Sequence, residues 1–247
     1  MIKRLTRRAR SWRRARSVAR VAVVAAMFAL PLCLAAGALA AGERSSFWGD
    51  QRFGLYYVYQ GSISAQLNGT RATAIVSSLT PTSSACVGFA SAMTNTGNGQ
   101  QMQIGGLKCV QGNSVDGTCG QSGVAIVYVE RRAYNFGSYT CYPHGTLSLG
   151  SSYLWTVDDS GSGNECTYSN GTPYECQQWY DTSANYAEEW GEGQPNCSTF
   201  GGYASFSSWQ YWTLTWNGWQ AAGPSASAYA GCWSLGAISN SSWTISH

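Results

Sequence analysis

Eight cysteines between residues 86 and 232 constrain the fold of this 247-residue chain more than any other feature. They are Cys86, Cys109, Cys119, Cys141, Cys166, Cys176, Cys197 and Cys232. An even number of cysteines in an exported domain is typical of a disulfide framework, and eight cysteines allow about 105 pairings. The short loops between Cys109 and Cys119 and between Cys166 and Cys176 predict two local disulfides. The sequence has no C-x-x-C motif, so we expect no zinc site.

The first 41 residues have the three parts of a secretory signal peptide. Nine of the 15 Lys and Arg residues lie in residues 1–20, an apolar run follows over residues 21–39, and small residues end it. A basic segment, an apolar segment and an A-x-A cleavage site are typical of export signals. The alternative is an uncleaved membrane anchor, which Pro31 and the small residues disfavour. We therefore predict a signal peptide over 1–41, a single secreted domain over 42–247, and membrane contact only during export.

Removal of this segment reverses the charge of the protein. The chain carries 15 basic and 12 acidic residues, but only six of the basic residues lie beyond residue 41. The mature domain would therefore have a net charge of about −6. A negative domain does not suit the phosphate backbone of nucleic acid, so we expect no nucleic-acid partner.

Beyond residue 41 the chain consists of short β-rich segments separated by Gly, Asn, Ser and Asp, without a sustained helical period. The predicted strands are Leu55–Tyr59, Ser62–Leu67, Thr73–Val76, Cys86–Ala90, Gln101–Lys108, Val124–Glu130, Tyr139–Pro143, Tyr153–Asp158, Ala184–Trp190, Ser205–Trp216 and Trp243–Ser246. The pairs Asn68-Gly69 and Asn170-Gly171 predict type I′ hairpin turns. Alternation along the fifth of these strands turns Gln103 away from the apolar face. The pattern indicates one all-β sandwich or barrel.

Carboxylates are the main residues available for catalysis. The chain has only two histidines, His144 and His247, and no free cysteine is expected, so Ser-His and Cys-His sites are disfavoured. Glu130 ends an apolar strand, whereas Glu188 and Glu189 lie within an aromatic segment. Neighbouring strand residues face opposite sides, so one of these two glutamates should be buried, with a raised pKa that suits acid–base catalysis. The alternative is that the two charges protect an edge strand from aggregation.

Several segments occur in the order found in glutamic endopeptidases. Cys86-Val-Gly-Phe-Ala resembles W-V-G-I-D of the eqolisin family, Gln101-Met-Gln-Ile-Gly-Gly-Leu resembles I-L-Q-T-G-V, and Val127-Tyr-Val-Glu-Arg resembles W-Y-E-W. Ala187-Glu-Glu-Trp-Gly-Glu-Gly resembles A-E-W-I-V-E of the eqolisins and E-W-G-G-E of the plant neprosin-type domain. Thr140-Cys-Tyr is similar to the T-G-C-Y of that domain.

The resemblance implies an antiparallel β-sandwich of the concanavalin-like jelly-roll type, stabilised by disulfides. In these families a Gln and a Glu face each other on the concave side of the sandwich. The two roles fall on Gln103 and on Glu189, which directly precedes Trp as the family Glu does, and Glu188 is the second candidate. Glu130 and Trp190 are further candidates for catalysis or substrate binding.

The implied function is that of a secreted, acid-acting endopeptidase that hydrolyses polypeptides without a metal or cofactor. Glu189 would take a proton from a water that attacks the scissile carbonyl, and would then protonate the leaving amine. Gln103 would donate to the oxyanion. Cys86 and Arg131 stand where the eqolisin segments have Trp, so the resemblance implies a different substrate-facing wall.

The alternative function is a non-catalytic extracellular module that binds carbohydrate or cell wall. Trp and Tyr crowd residues 179–190 and 209–219, and exposed rings of this kind stack on sugars, although such rings also fill the core between two sheets. The two hypotheses predict different geometry. The peptidase requires Gln103 and Glu189 to reach one water, about 3 Å from each. The binding module requires several exposed aromatic rings in one plane.

Overall fold

Two antiparallel β-sheets account for nearly all of the regular structure in the described part of the chain. The structure, a computed structural model, describes residues 52–63, 65–82, 85–95, 97–110, 119, 123–133, 135, 137–159, 163–179, 185–194, 197–223, 226–229 and 232–247. All of these residues belong to one compact unit, Glu43–His247. The predicted signal peptide (1–41) lies outside the described residues. No helix within the described ranges has the length and apolarity to cross a membrane.

The first sheet has seven strands. In spatial order they are β13 (Ala226–Tyr229), β1 (Arg52–Tyr59), β10 (Asn185–Gln194), β3 (Cys86–Asn95), β4 (Gln100–Cys109), β5 (Ile126–Arg132) and β6 (Tyr139–Thr146). Every neighbouring pair in this sheet is antiparallel. The central strands β10, β3 and β4 pair over ten residues without a register shift, so residues on adjacent strands align in straight rows across the sheet.

The second sheet has eight strands. In spatial order they are β14 (Ser234–Leu235), β15 (Trp243–Ser246), β11 (Gly202–Thr213), β2 (Leu67–Leu79), β7 (Ser152–Asp159), β8 (Asn164–Ser169) and β9 (Thr172–Gln178), and β12 (Gly218–Ala221) pairs with β11. A four-residue helix α1 (Gln60–Ile63) follows β1, and a 3₁₀ turn spans Cys197–Thr199.

The hydrophobic core lies between the two sheets. Trp155 and Phe206 of the eight-stranded sheet are almost fully buried, as are Phe89, Met102 and Ile104 of the seven-stranded sheet. Burial of this apolar surface is the main favourable term in folding, at roughly 25 cal/mol per Å². The predicted antiparallel, disulfide-stabilised β-sandwich is therefore confirmed, and so is the alternation along β4 that turns Gln103 away from the core.

All eight cysteines beyond the leader form disulfides. The pairs are Cys86–Cys109, Cys119–Cys141, Cys166–Cys176 and Cys197–Cys232. The predicted Cys166–Cys176 bond is confirmed, because it closes the hairpin of β8 and β9 at directly opposed positions. The predicted Cys109–Cys119 bond is wrong. Cys109 lies directly opposite Cys86 across β3 and β4, and this register brings those two sulfurs together instead.

One of the two predicted hairpin turns is confirmed. Asn170 and Gly171 join β8 to β9 with φ of 50° and 80°, as a type I′ turn requires. Asn68-Gly69 is not a turn but lies inside the 13-residue strand β2. Gly69 is needed there for space, because a Cβ atom would lie 2.9 Å from Asp158 Oδ1 and 3.1 Å from a ring carbon of Trp219.

The remaining differences from the predicted strands are local. The segment predicted as a strand over Ser62–Leu67 begins in helix α1, and β2 starts only at Leu67. The sequence does not predict β8, β9 or the short strands β12, β13 and β14. The strands β8 and β9 are rich in polar residues and lie towards one edge of their sheet.

Candidate active site

Three predicted site residues lie in one row across the seven-stranded sheet. Glu188 on β10 pairs with Ala92 on β3, Ala92 pairs with Gln103 on β4, and Gln103 pairs with Glu130 on β5. Directly opposed residues of antiparallel strands point to the same face. We call this the distal face, because it points away from the eight-stranded sheet. The structure therefore brings Gln103, Glu188 and Glu130 onto one surface, and all three are buried.

Trp190, Tyr128 and Glu192 extend the same face along the strands. Trp190 and Glu192 follow Glu188 at spacings of two and four residues, and Tyr128 precedes Glu130 by two, so all share its orientation. Between Trp190 and Tyr128 the sheet carries only small residues, Ala90 and Gly105, which pair directly with each other. Because these two residues are small, they leave space above the sheet for the longer side chains around them.

The amide of Gln103 is held by hydrogen bonds at both ends. Its Nε2 donates to the Tyr128 hydroxyl at 2.9 Å, and its Oε1 accepts from Gln101 Nε2 at 3.2 Å. The hydroxyl of Tyr139 donates in turn to Gln101 Oε1 at 3.1 Å. This chain points the carbonyl oxygen of Gln103 towards Gln101 and leaves its second N–H on the side of Tyr128.

Glu192 is the carboxyl group of this face whose pKa depends on Gln103. Burial raises the pKa of Glu192 well above its usual value, the charge of Glu130 raises it further, and the Gln103 side chain lowers it. Neither Glu192 carboxylate oxygen has a hydrogen-bond partner among the described residues. The Tyr128 pKa is also well above its usual value because of burial, Glu192 and Glu130. Tyr128 is therefore a neutral phenol beside the amide.

The prediction that Glu189 faces Gln103 is wrong. Glu189 points to the opposite side of the sheet, into the space between the two sheets, where it accepts hydrogen bonds from Ser91 Oγ at 2.5 Å and Thr70 Oγ1 at 3.1 Å. Thr70 belongs to the eight-stranded sheet and accepts a hydrogen bond from Trp209 Nε1 at 3.0 Å. Burial is the main reason that the pKa of Glu189 is well above its usual value. This carboxyl links the two sheets and does not reach Gln103.

Sequence reasoning missed Glu192, although a signal for it was present. When A-E-W-I-V-E is placed on Ala187–Glu192 without a gap, its first Glu falls on Glu188 and its second on Glu192. The prediction of Glu189 rests instead on the Trp that directly follows it. The second candidate, Glu188, does share the face of Gln103. Its carboxyl accepts a hydrogen bond from Thr94 Oγ1 at 3.1 Å.

Two further sequence predictions have different outcomes. Trp190 lies on the distal face between Glu188 and Glu192, and its indole N–H has no hydrogen-bond partner among the described residues. Arg131 does not line this face. It pairs with Met102, whose side chain lies in the core, so Arg131 points towards the eight-stranded sheet.

Other side chains that could take part in catalysis or metal binding are engaged in other contacts. His144 stacks on Tyr174 with ring centroids 4.4 Å apart and lies 3.5 Å from a Glu175 carboxylate oxygen. Among the described residues, the one group with metal-ligand spacing is Cys197, Cys232 and His247. Those two cysteines are joined in a disulfide and offer no thiolate.

Within the described residues, the aromatic rings do not form the flat strip that a sugar-binding module requires. Trp209 and Tyr211 are buried, and Trp216 is 48% exposed. The half-buried pair Trp212 and Trp219 has an interplanar angle of 71°. In the parts of the chain that the structure describes, most of these rings pack into the core or against each other at steep angles.

No protein-family model matches the chain, and no curated protein sequence matches it. Solved structures do. A crystal structure of scytalido-glutamic peptidase with a transition-state-analogue inhibitor has a TM-score of 0.54 and 12% identity, and one with a peptide-based analogue has 0.53 and 11%. Each comparison covers 79% of this chain and 98% of the other. The fold is that of the glutamic peptidases.

A tripeptide complex of SCP-B, an eqolisin-family peptidase, is also similar, with a TM-score of 0.49, 12% identity, and coverage of 79% of this chain and 98% of the other. The two scytalido-glutamic peptidase structures are matched over 98% of their length. At such low identity the likeness establishes architecture alone. Function has to be argued from the distal face.

Proposed function

We propose that the protein is an exported glutamic-type endopeptidase in which Gln103 and Glu192 activate a water molecule against a peptide bond. The observation that carries this proposal is the placement of a fixed amide and a buried carboxyl on one face of a glutamic-peptidase fold. A polypeptide is the substrate class, because both groups are suited to the steps of amide hydrolysis.

Each step of this hydrolysis has a named group. Glu192 as carboxylate removes a proton from water, and the water oxygen forms a bond to the scissile carbonyl carbon. The carbonyl oxygen becomes an oxyanion that accepts a hydrogen bond from Gln103 Nε2. Glu192 then returns the proton to the amide nitrogen, and the C–N bond breaks.

The neighbours of the pair assist this cycle. Glu130 raises the pKa of Glu192, which favours the acid half of the cycle. Tyr128 remains protonated and offers a second donor near the oxyanion. The unpartnered indole N–H of Trp190 is suited to a substrate carbonyl. The described residues that line this face are buried. A substrate can therefore reach them only after the neighbouring groups that bury them move aside.

Cleavage of an unfolded protein between about pH 3 and pH 8 tests the proposal. The variants are Gln103→Ala, Glu192→Gln and Glu189→Gln, all with disulfides intact. We expect the first two to lose about 100-fold or more in kcat/KM, because each removes a group that acts in the transition state. Burial raises the pKa of Glu192 above 4.5, so the acid limb of the wild-type profile should lie above pH 4.5.

Glu189→Gln is the matched control, because it neutralises an adjacent buried carboxyl on the opposite face. This variant should cleave at a rate close to that of the wild type. If Glu189→Gln lost activity while Glu192→Gln kept full activity, the active carboxyl would lie between the sheets and not on the distal face. That result would contradict the proposal. Absence of cleavage by a folded wild-type protein would indicate a non-catalytic module, with glycan binding as the next function to test.

We further propose that residues 1–41 are removed on export and that residues 42–247 act outside the cytoplasm. Four disulfides in the described part of the chain support this, because such bonds persist in oxidising compartments. Mass spectrometry of the protein recovered from culture medium would give its N-terminus. A chain that begins at Met1 and sediments with membranes would contradict cleavage.

A further inference from the structure

A polar cavity of about 450 Å³ opens at the edge of the sandwich, apart from the distal face. It lies between the ends of β5 and β6 on one sheet and β9 on the other. Its volume is within the range of about 300–1,000 Å³ that is typical of small-ligand sites. The polar residues that line it are Gln100, Arg131, Ser138, Thr140, Gln177 and Gln178.

Arg131 is the one charged residue in this lining. Its guanidinium lies 5.0 Å from the ring centroid of Tyr142, and Nη1 donates to the carbonyl oxygen of Cys176 at 3.1 Å. These two contacts fix the plane of the guanidinium and use one of its five N–H donors. No carboxylate of the described residues forms an ion pair with Arg131. A positive charge is thus held in place at a cavity without a counter-charge among the described residues.

The walls around Arg131 are held by bonds between the two sheets. Gln177 Nε2 donates to the backbone oxygen of Gln101 at 2.8 Å, and Gln100 Nε2 donates to the backbone oxygen of Gln178 at 2.7 Å. Ser138 and Thr140 add hydroxyl groups that have no hydrogen-bond partner within the described ranges. The cavity is therefore formed before a ligand arrives and offers donors on more than one side.

We propose that this cavity binds a peptide carboxylate, with the guanidinium of Arg131 as its anchor. A planar guanidinium matches the two oxygens of a carboxylate in a bidentate pair. One positive charge balances one carboxylate, whereas a phosphate dianion would remain partly uncompensated. The carboxylate is either the free end of a peptide or an acidic side chain. Binding at this cavity does not depend on the proposed catalysis, because Gln103 and Glu192 lie on the other face of the sheet.

Calorimetric titration of the purified protein at neutral pH tests this site. The probes are acetyl-Ala-Ala-Ala with a free C-terminus, the same peptide as its C-terminal amide, and acetyl-Ala-Glu-Ala amide. We expect saturable binding of at least one carboxylate-bearing peptide. The affinity for the uncharged amide should be lower by about tenfold or more. The first and third probes distinguish a chain end from a side chain. Equal binding of all three probes, no binding of any, or competition by inorganic phosphate at equal concentration would overturn the proposal.

Variants locate the binding site. Arg131→Gln should weaken binding of the carboxylate peptide about tenfold or more, and Arg131→Lys should retain part of it, because the charge remains without the planar fork. Arg71→Gln is the matched control, since Arg71 lies 4.2 Å from the Trp219 ring centroid, near Asp158. Unchanged affinity in Arg131→Gln would overturn the assignment. If that variant does not fold, the wild-type comparison of acid with amide still decides the chemistry.

Discussion

At the scale of single residues, the orientation of one amide decides what the distal face can do. Gln103 acts as an oxyanion donor only if its nitrogen, not its oxygen, points towards Glu192 and Tyr128. The bond from Gln101 Nε2 to Gln103 Oε1 enforces this orientation, and Tyr139 holds Gln101 in turn. Gln101 is therefore a positioning residue for the proposed reaction and does not itself touch the substrate.

Substitution of Gln101 tests this role. Gln101→Ala leaves Gln103 Oε1 without its donor, so we expect the amide to lose its fixed orientation. Loss of one buried hydrogen-bond partner costs about 1–3 kcal/mol, so kcat should fall about tenfold or more while KM changes little. Tyr139→Phe removes only the far end of the chain and should have a smaller effect. A rise in KM with unchanged kcat would show that Gln101 serves substrate binding instead.

At the scale of strands, the site depends on a gap in the side chains of β3 and β4. Gly105 and Ala90 oppose each other at the centre of the sheet, between Trp190 and Tyr128 in the same row. A Cβ atom on Gly105 would lie 2.0 Å from the Phe89 carbonyl oxygen and 2.8 Å from the Ala90 Cα. Both are backbone atoms in a paired strand, so neither can move aside at small cost.

Gly105→Ala is therefore expected to destabilise the protein by about 2–3 kcal/mol or more. Urea unfolding followed by tryptophan fluorescence measures this loss. Gly223→Ala is the matched control, because a Cβ atom there meets nothing within 4 Å and the residue has no positive φ. Similar unfolding midpoints for the two variants would contradict the close strand approach at Gly105.

The strand scale also separates what the sequence predicts from what it does not. Alternation along β4 correctly places the Gln103 side chain on the other side of the sheet from Met102, because strand periodicity is a local property. The bond between Cys86 and Cys109 depends on the register of two strands, which the spacing of cysteines does not report. Glu192 shares the distal face with Gln103 through the order and register of β10, β3 and β4, so this placement follows only from the three-dimensional structure.

At the scale of the whole molecule, two buried carboxyls make stability depend on pH. Glu189 between the sheets and Glu192 on the distal face both have pKa values well above the usual 4.5, mainly because of burial. Such a group is protonated in both folded and unfolded chains at low pH. As pH rises past the unfolded pKa of about 4.3, the unfolded chain releases the proton first, so folding becomes less favourable. Each unit of elevation costs about 1.4 kcal/mol once pH exceeds the folded pKa.

We therefore expect the urea midpoint to be higher at about pH 4 than at about pH 7, contrary to proteins whose carboxylates are stabilised by ion pairs. Glu189→Gln should reduce this difference, because the amide cannot ionise and still accepts a hydrogen bond from Ser91 or Thr70. At about pH 4 the carboxyl is already neutral, so the substitution should have little effect there. A midpoint difference of the same size in the variant and the wild type would mean that Glu189 does not contribute. A higher wild-type midpoint at pH 7 would mean that other carboxylates outweigh both buried groups.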